Sequence, residues 1–437
     1  MATSSTDQRR VVVTGLGVIS PIGNSVESLW SSLEQRHSGV ARSEHLPWGV
    51  VAGEASEFQG KIADFGDLDS GLKKTIRKAL KLMNRETRMA LAAAQQALRD
   101  SDLSAPDVDS ERVGVCFGTG NVGLMPQDFV AGVEACVADG EVFKPERWGQ
   151  YGIPQVEPLW LLKCLPNMPS CHIAICNGFR GPNNSITQRD SAANLAVAEA
   201  WQLIADGEAD AVVSGGTGTM LVPMNLVHTV MEHTVASTAG DPTTVCRPFD
   251  SARSGAVVSE GAASLVLESL ESALDRGAPI YGEIRGVGSS CVVEPGHGPR
   301  CEASVTNAIR MALEQAQAAP DGIGHVHAHG LSTRSGDVQE AKAIRAVFGD
   351  RADTLPVTAA KSYTGNAGAG SGAIELVSSI LAMKHGRLFP VLNCERPDPD
   401  CPIHPADESD VDPGNSFLNV SYLPTGQASC LLVEAVA

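Results

Sequence analysis

Strand and helix signals alternate through the first part of the chain, and the alternation starts again near Ala278. This confines the chain to an α/β fold built from two similar halves. In the first half, residues 1–270, the spacing predicts strands at Arg10–Thr14, Arg112–Phe117, Ala211–Ser214 and Ala263–Glu268, with helices over Leu82–Arg99 and Ser191–Asp206. In the second half, residues 271–437, strands are predicted at Ile280–Val287, His325–Ala328, Leu355–Thr358 and Ala428–Ala435. Helices there are predicted over Val305–Ala318, Gly336–Phe348 and Gly372–Lys384. Such alternation implies a mainly parallel sheet in each half. A long irregular stretch, residues 125–169, interrupts the first half and reads as a lid or interface insertion.

The composition supports a packed core, with hydrophobic residues at 43% and charged residues at 19% of the chain. A formal net charge of −18 excludes a general nucleic-acid binder, because phosphate contact needs surplus Lys and Arg. The 11 cysteines form no CxxC pair or regular framework, which points to buried, reduced thiols. Met1 to Asp7 is polar and no apolar run reaches spanning length, so a cytoplasmic protein with no membrane partner is expected. The Gly15-Leu16-Gly17 run after the first strand is not a dinucleotide loop, because Ser20 stands where the third glycine belongs.

Four segments can carry chemistry. Asp190 directly precedes a helix, where a carboxylate serves as an ordinary N-cap and meets the positive end of the helix dipole. His325, His327 and His329 alternate, so a strand projects all three to one face, with Asp337 nearby. That set resembles metal ligands, but no further His or carboxylate sits at metallohydrolase spacing, and no metal is expected. Lys361 ends a strand, and a glycine-rich loop then carries Asn366 to a helix start, where backbone N–H groups can hold an oxyanion. Lys74, Arg77, Lys78 and Lys81 recur at helical spacing. They form one basic stripe, read either as a solvated face or as a docking site for an acidic partner.

Taken together, RRVVVTGLGVISPIGNSVESLW, LPNMPSCHIAICNGFRGPN, DGEADAVVSGG, CRPFDSARSGAVVSEGAASLVLE, HAHGLSTRSGD and KSYTGNAGAGSGAIE resemble the elongating β-ketoacyl-acyl-carrier-protein synthases. The resemblance runs in the family's order from Arg10 to about Phe417. It implies the thiolase-like α-β-α-β-α sandwich of two halves, a dimer, and a tunnel that takes a phosphopantetheine arm as substrate, with no other cofactor. It also makes the stripe Lys74, Arg77, Lys78 and Lys81 the docking face for acyl-carrier protein.

The resemblance carries departures. The family's nucleophilic cysteine matches Asp190, the first of its two histidines matches His329, and Asn366 stands in place of the second. Lys361 matches the family lysine and Glu340 a supporting acid. The C-terminal GFGG turn is replaced by NSFLNVSYLPTGQAS. A carboxylate is a weak nucleophile, and its acyl product would be a mixed anhydride prone to hydrolysis. Two readings stay open. One is a non-condensing, chain-length-factor-like subunit, either homodimeric or paired with a Cys-bearing ketosynthase. The other is an enzyme of altered chemistry: a malonyl-carrier-protein decarboxylase, or a thioester hydrolase or acyltransferase using Asp190 and His329.

Overall fold

The computed structural model describes residues 8–44, 46, 49–103, 108–120, 125–138, 142–232, 234–408 and 411–436. Met1 to Asp7 and residues 139–141 of the 125–169 stretch lie outside the described residues. The first half contains β1 (Val11–Ile19), α1 (Ser70–Ala79), α2 (Arg85–Asp100), β2 (Val113–Thr119), α3 (Met168–Asn177) and β3 (Asn183–Thr187). It continues through α4 (Ala192–Ala205), β4 (Ala211–Thr219), α5 (Pro223–Glu232) and β5 (Val258–Ser269). The second half contains β6 (Gly282–Cys291), α6 (Cys301–Ala316), β7 (His325–His327), α7 (Arg334–Phe348) and β8 (Pro356–Thr358). It closes with α8 (Ser371–His385), β9 (Ser416–Tyr422) and β10 (Gln427–Glu434).

Each half uses one strand order. The first runs β3-β2-β4-β5-β1 and the second β8-β7-β9-β10-β6, and the two meet where β1 lies antiparallel to β6. Helices α2 and α3 cover the outer face of the first sheet, and α6 that of the second, with α7 packed against α6. Between the sheets lie α4 and α8, each touching strands of both halves, which gives the α-β-α-β-α sandwich.

The sheets are mixed rather than mainly parallel. β2 runs parallel to β3 and β4, and β7 to β8 and β9, whereas β5 is antiparallel to β4 and β1, and β10 to β9 and β6. In the second half the cause is local: a tight turn at Leu423–Gly426 sends β10 straight back along β9 instead of through a crossover helix.

The glycines of the opening strand have a packing role. A Cβ on Gly17 would lie 2.0 Å from the carbonyl oxygen of Ala93 on α2. Gly288 on β6 repeats the arrangement, with its Cβ position 2.0 Å from Ala308 O on α6. Bare backbone at both places lets an alanine-rich helix sit directly on its strand. The central helix α8 is buried throughout Ser371–Ala382, and its end is set by Gly386 at φ 65°. Within the 125–169 stretch, Val130, Val133, Ile153, Leu159 and Leu161 are exposed, as are Met224, Val227, Val230 and Met231 on α5. Among the described residues no helix is long and apolar enough to cross a membrane.

Candidate active site

The chain enters α4 through a single 3-10 turn, Arg189–Ser191, in which Arg189 adopts φ 48°. Asp190 is buried in that turn, 3% exposed. It is not the N-cap expected from its position. A cap residue needs an extended backbone, whereas Asp190 already sits inside a helical turn, and Ser191 at the cap position makes no side-chain cap bond. The Asp190 carboxylate instead accepts a 2.7 Å hydrogen bond from Asn366 Nδ2.

Asn366 is fixed by its own surroundings. Its Oδ1 accepts from the Gly368 N–H at 3.1 Å and from Ser371 Oγ at 2.9 Å. A backbone N–H can only donate, so Oδ1 must face Gly368, and the Nδ2 donor is left pointing at Asp190. The main chain of Asn366 is tied to β5 as well, through Val257 O and the Ser259 N–H. An amide is therefore held as a donor against a carboxylate, across 176 residues of sequence.

Beside this pair lies an ionic group, at 1% exposure for both Lys361 and Glu375. Lys361 Nζ contacts the Glu375 carboxylate and donates to His329 Nδ1 at 3.1 Å. Since an ammonium has no acceptor, His329 Nδ1 must accept, and the ring proton then resides on Nε2. Burial pushes Glu375 up to about 7, Lys361 opposes that rise, and Asp190 adds to it. Glu340 holds the backbone of the histidine loop, accepting from the N–H groups of His329 at 2.6 Å and Gly330 at 2.9 Å.

His325 and His327 do share a face, and both are committed elsewhere. His325 Nδ1 donates to Pro413 O at 2.7 Å, and His325 Nε2 accepts from Ser379 Oγ at 3.0 Å. Ser379 Oγ in turn accepts from His327 Nδ1 at 2.8 Å, and His327 Nε2 accepts from the Ala360 N–H at 3.0 Å. Every ring nitrogen of the two is used, and burial lowers both pKa values, so they stay neutral. Asp337 accepts from the Phe249 and Thr333 N–H groups and pairs with the buried Arg253. The chain of bonds is structural. It leaves no lone pair on these two imidazoles for a metal.

A cavity of about 510 Å³ opens over His329. Its rim is exposed and polar, with Glu232, Thr234, Arg334 and Ser335; its floor is buried, with Cys301, His329, Thr333 and Tyr422. Asp190 does not line it. A thiol does, unforeseen in the sequence. Cys301 Sγ lies 3.5 Å from Leu423 O, and burial raises its pKa, which disfavours the thiolate. Arg189 forms an ion pair with Glu232 of α5. Arg189 also borders a void of only about 10 Å³, together with Gly218, Met220 and Gly368. Lys74, Arg77 and Lys78 lie exposed on α1, and Lys81 lies exposed on the 3-10 turn that follows it.

Residues 8–273 match the family model described as "Beta-ketoacyl synthase, N-terminal domain", and residues 281–395 match its C-terminal domain. The chain belongs to the β-ketoacyl synthase family. The 3-oxoacyl-[acyl-carrier-protein] synthase 2 of Synechocystis sp. is 33% identical over 435 residues, spanning 98% of this chain and 94% of that protein. Among solved structures, a chain of "The ishigamide ketosynthase/chain length factor" superposes with a TM-score of 0.80 at 29% identity, covering 98% of this chain and 100% of that one. AntDE:AntF, a type II PKS acyl-carrier protein in complex with its ketosynthase bound to the hexaketide, gives a TM-score of 0.81 at 28% identity. It covers 98% of this chain and 100% of its own. Against the β-ketoacyl synthase pattern, NSFLNVSYLPTGQAS folds here as β9, the Leu423–Gly426 turn and β10. It is a regular strand pair.

Proposed function

We propose that this chain is a non-condensing subunit of the ketosynthase type, which receives carrier-protein thioesters and pairs with a Cys-bearing ketosynthase in the manner of a chain-length factor. The observation that carries the reading is the 2.7 Å bond between Asn366 Nδ2 and Asp190. It commits the residue matched to the family nucleophile to a buried acceptor role. A carboxylate so held is a poor attacking group, and an acyl anhydride formed on it would not persist.

The void bordered by Arg189 holds about one water at most. Exposed apolar side chains on α5 and in the 125–169 stretch supply the surface a partner chain would cover. The edge strand β3 pairs with β2 alone among the described strands, which leaves its other edge without a strand partner. The basic stripe Lys74, Arg77, Lys78 and Lys81 faces solvent on a chain of net charge −18, which suits an acidic carrier protein.

The test combines intact-mass measurement after incubation with acyl-carrier-protein thioesters and native mass spectrometry after co-expression with a Cys-bearing ketosynthase. No acyl-enzyme and a 1:1 heterodimer are expected. A stable acyl adduct on Asp190, or a homodimer that persists beside the paralogue, overturns the reading.

A second reading draws on His329, whose Lys361 contact and place on the cavity floor suit a donor to a malonyl thioester, and hence decarboxylation. Release of carbon dioxide from malonyl-carrier protein, abolished by His329→Ala, would establish it. The dyad of Asp190 with His329 is disfavoured, because Asp190 bonds Asn366 instead.

A further inference from the structure

Tyr422 ends β9 on the floor of the 510 Å³ cavity. Its side chain is 4% exposed, and its hydroxyl has no hydrogen-bond partner among the described residues. A buried polar group left unpaired is costly and uncommon, and it marks a place where a ligand atom belongs. The ring lies 4.8 Å, centroid to centroid, from that of His329, tilted by 59°.

A second feature keeps the hydroxyl uncovered. Gly336 occupies the first turns of α7, a helical position where glycine is disfavoured. A Cβ there would come 2.4 Å from Thr333 Oγ1 and 2.7 Å from Tyr422 Oη. Any side chain at that place would press on the Thr333 hydroxyl and on the phenol together, at the cavity wall, and glycine leaves the way open. The gradient of exposure then gives the direction of entry. Glu232, Arg334 and Ser335 stand at the solvent rim, while His329 and Tyr422 lie at the buried floor. A flexible arm that threads this cavity meets the two rings last, with its far end.

We infer that the Tyr422 hydroxyl donates a hydrogen bond to the carbonyl oxygen of the thioester at the end of a phosphopantetheine arm, beside His329. The inference rests on the reading of this cavity as the thioester site, and it names the group that recognises the acyl carbonyl. Burial pushes the phenol far above its ordinary pKa, so it stays protonated and serves as a donor across the neutral range. An orphan donor of this kind discriminates well, because a ligand without the matching acceptor leaves it unpaired.

The experiment uses the full-length protein, wild type and Tyr422→Phe, with S-acetyl-pantetheine and its thioether analogue, in which a methylene replaces the carbonyl. Dissociation constants are measured by calorimetry. Wild type is expected to bind the thioester about 5–10-fold more tightly than the thioether, the span of one hydrogen bond. Tyr422→Phe should lose that preference and keep its affinity for the thioether. If Tyr422→Phe retains the preference, or wild type shows none, the assignment of Tyr422 is overturned while the cavity remains a thioester site. If neither compound binds wild type, the reading of the cavity falls, and the inference falls with it. A melting temperature of Tyr422→Phe no lower than wild type separates loss of recognition from loss of fold.

Discussion

Replacing Lys361 with methionine tests the ionic group that underlies His329. The substitution keeps the length of the side chain and removes its ammonium. Glu375, 1% exposed, then loses its counter-ion while Asp190 still adds to the carboxylate's cost. Breaking a buried pair from one side destabilises by about 3–5 kcal/mol. The loss should depend on pH in a defined direction. Native Glu375 is lifted to about 7 even with the lysine present, above the roughly 4.3 of an unfolded glutamate. Without the lysine the native value rises further. A native pKa above the unfolded one means that the folded protein holds the proton more tightly. Stability missing at high pH therefore returns, by up to about 1.4 kcal/mol per pH unit, as pH falls from the variant's native value to the wild-type value of about 7, below which both proteins gain alike.

Urea unfolding at pH 8, 7, 6 and 5.5 measures this. The gap between Lys361→Met and wild type should shrink from about 3–5 kcal/mol at pH 8 by about 1–1.4 kcal/mol at pH 6, and stay level from there to pH 5.5. Adding Glu375→Leu should recover most of the loss at pH 8, since a matched apolar pair is tolerated where a lone charge is not. A gap that stays constant with pH, or a double variant no better than the single, would refute the argument that an unpaired carboxylate is the cause.

Three further outcomes are expected. A double-mutant cycle with Asp190→Ala and Asn366→Ala should give a coupling of about 1.5–3 kcal/mol in urea unfolding, the range of a buried hydrogen bond to a charged group; additive losses would deny the bond. Tyr422→Phe should be neutral or stabilising by up to about 1 kcal/mol, because it removes an unpaired buried hydroxyl; a loss above that would reveal a hidden partner. Gly288→Ala should cost at least about 1–3 kcal/mol by forcing a methyl onto Ala308 O, and a melting temperature equal to wild type would contradict the close approach of α6 to β6.

The alternation of strands and helices made the two-half architecture readable, because the apolar strands and alanine-rich helices carry strong periodicity. Strand β3 escaped notice for a physical reason. Its sequence, NNSIT, has one apolar residue, since it is an edge strand with little to bury. The mixed character of the sheets was likewise hidden, because the alternation of elements says nothing about the direction of each return. The candidate site was legible in residue identity and not in pairing. Asp190 was visible as a helix-start carboxylate, but its true partner, Asn366, is brought to it only by the packing of the β8–α8 loop against α4. The three histidines looked alike in sequence. Two are spent on Ser379, and only His329, beyond the end of β7, reaches the cavity. Tyr422 and Cys301 carried no signal at all, since each is an ordinary core residue until the fold opens a cavity above it.

Helix α8 has no solvent-facing stripe over Ser371–Ala382, and both sheets are needed to enclose it. Neither half can thus bury its own centre, and a fragment ending near residue 270 would expose α4 just as a fragment starting there would expose α8. The two halves must melt in one transition. The amide hydrogens of α8 should then be the last in the chain to exchange with solvent, released only when the whole molecule opens.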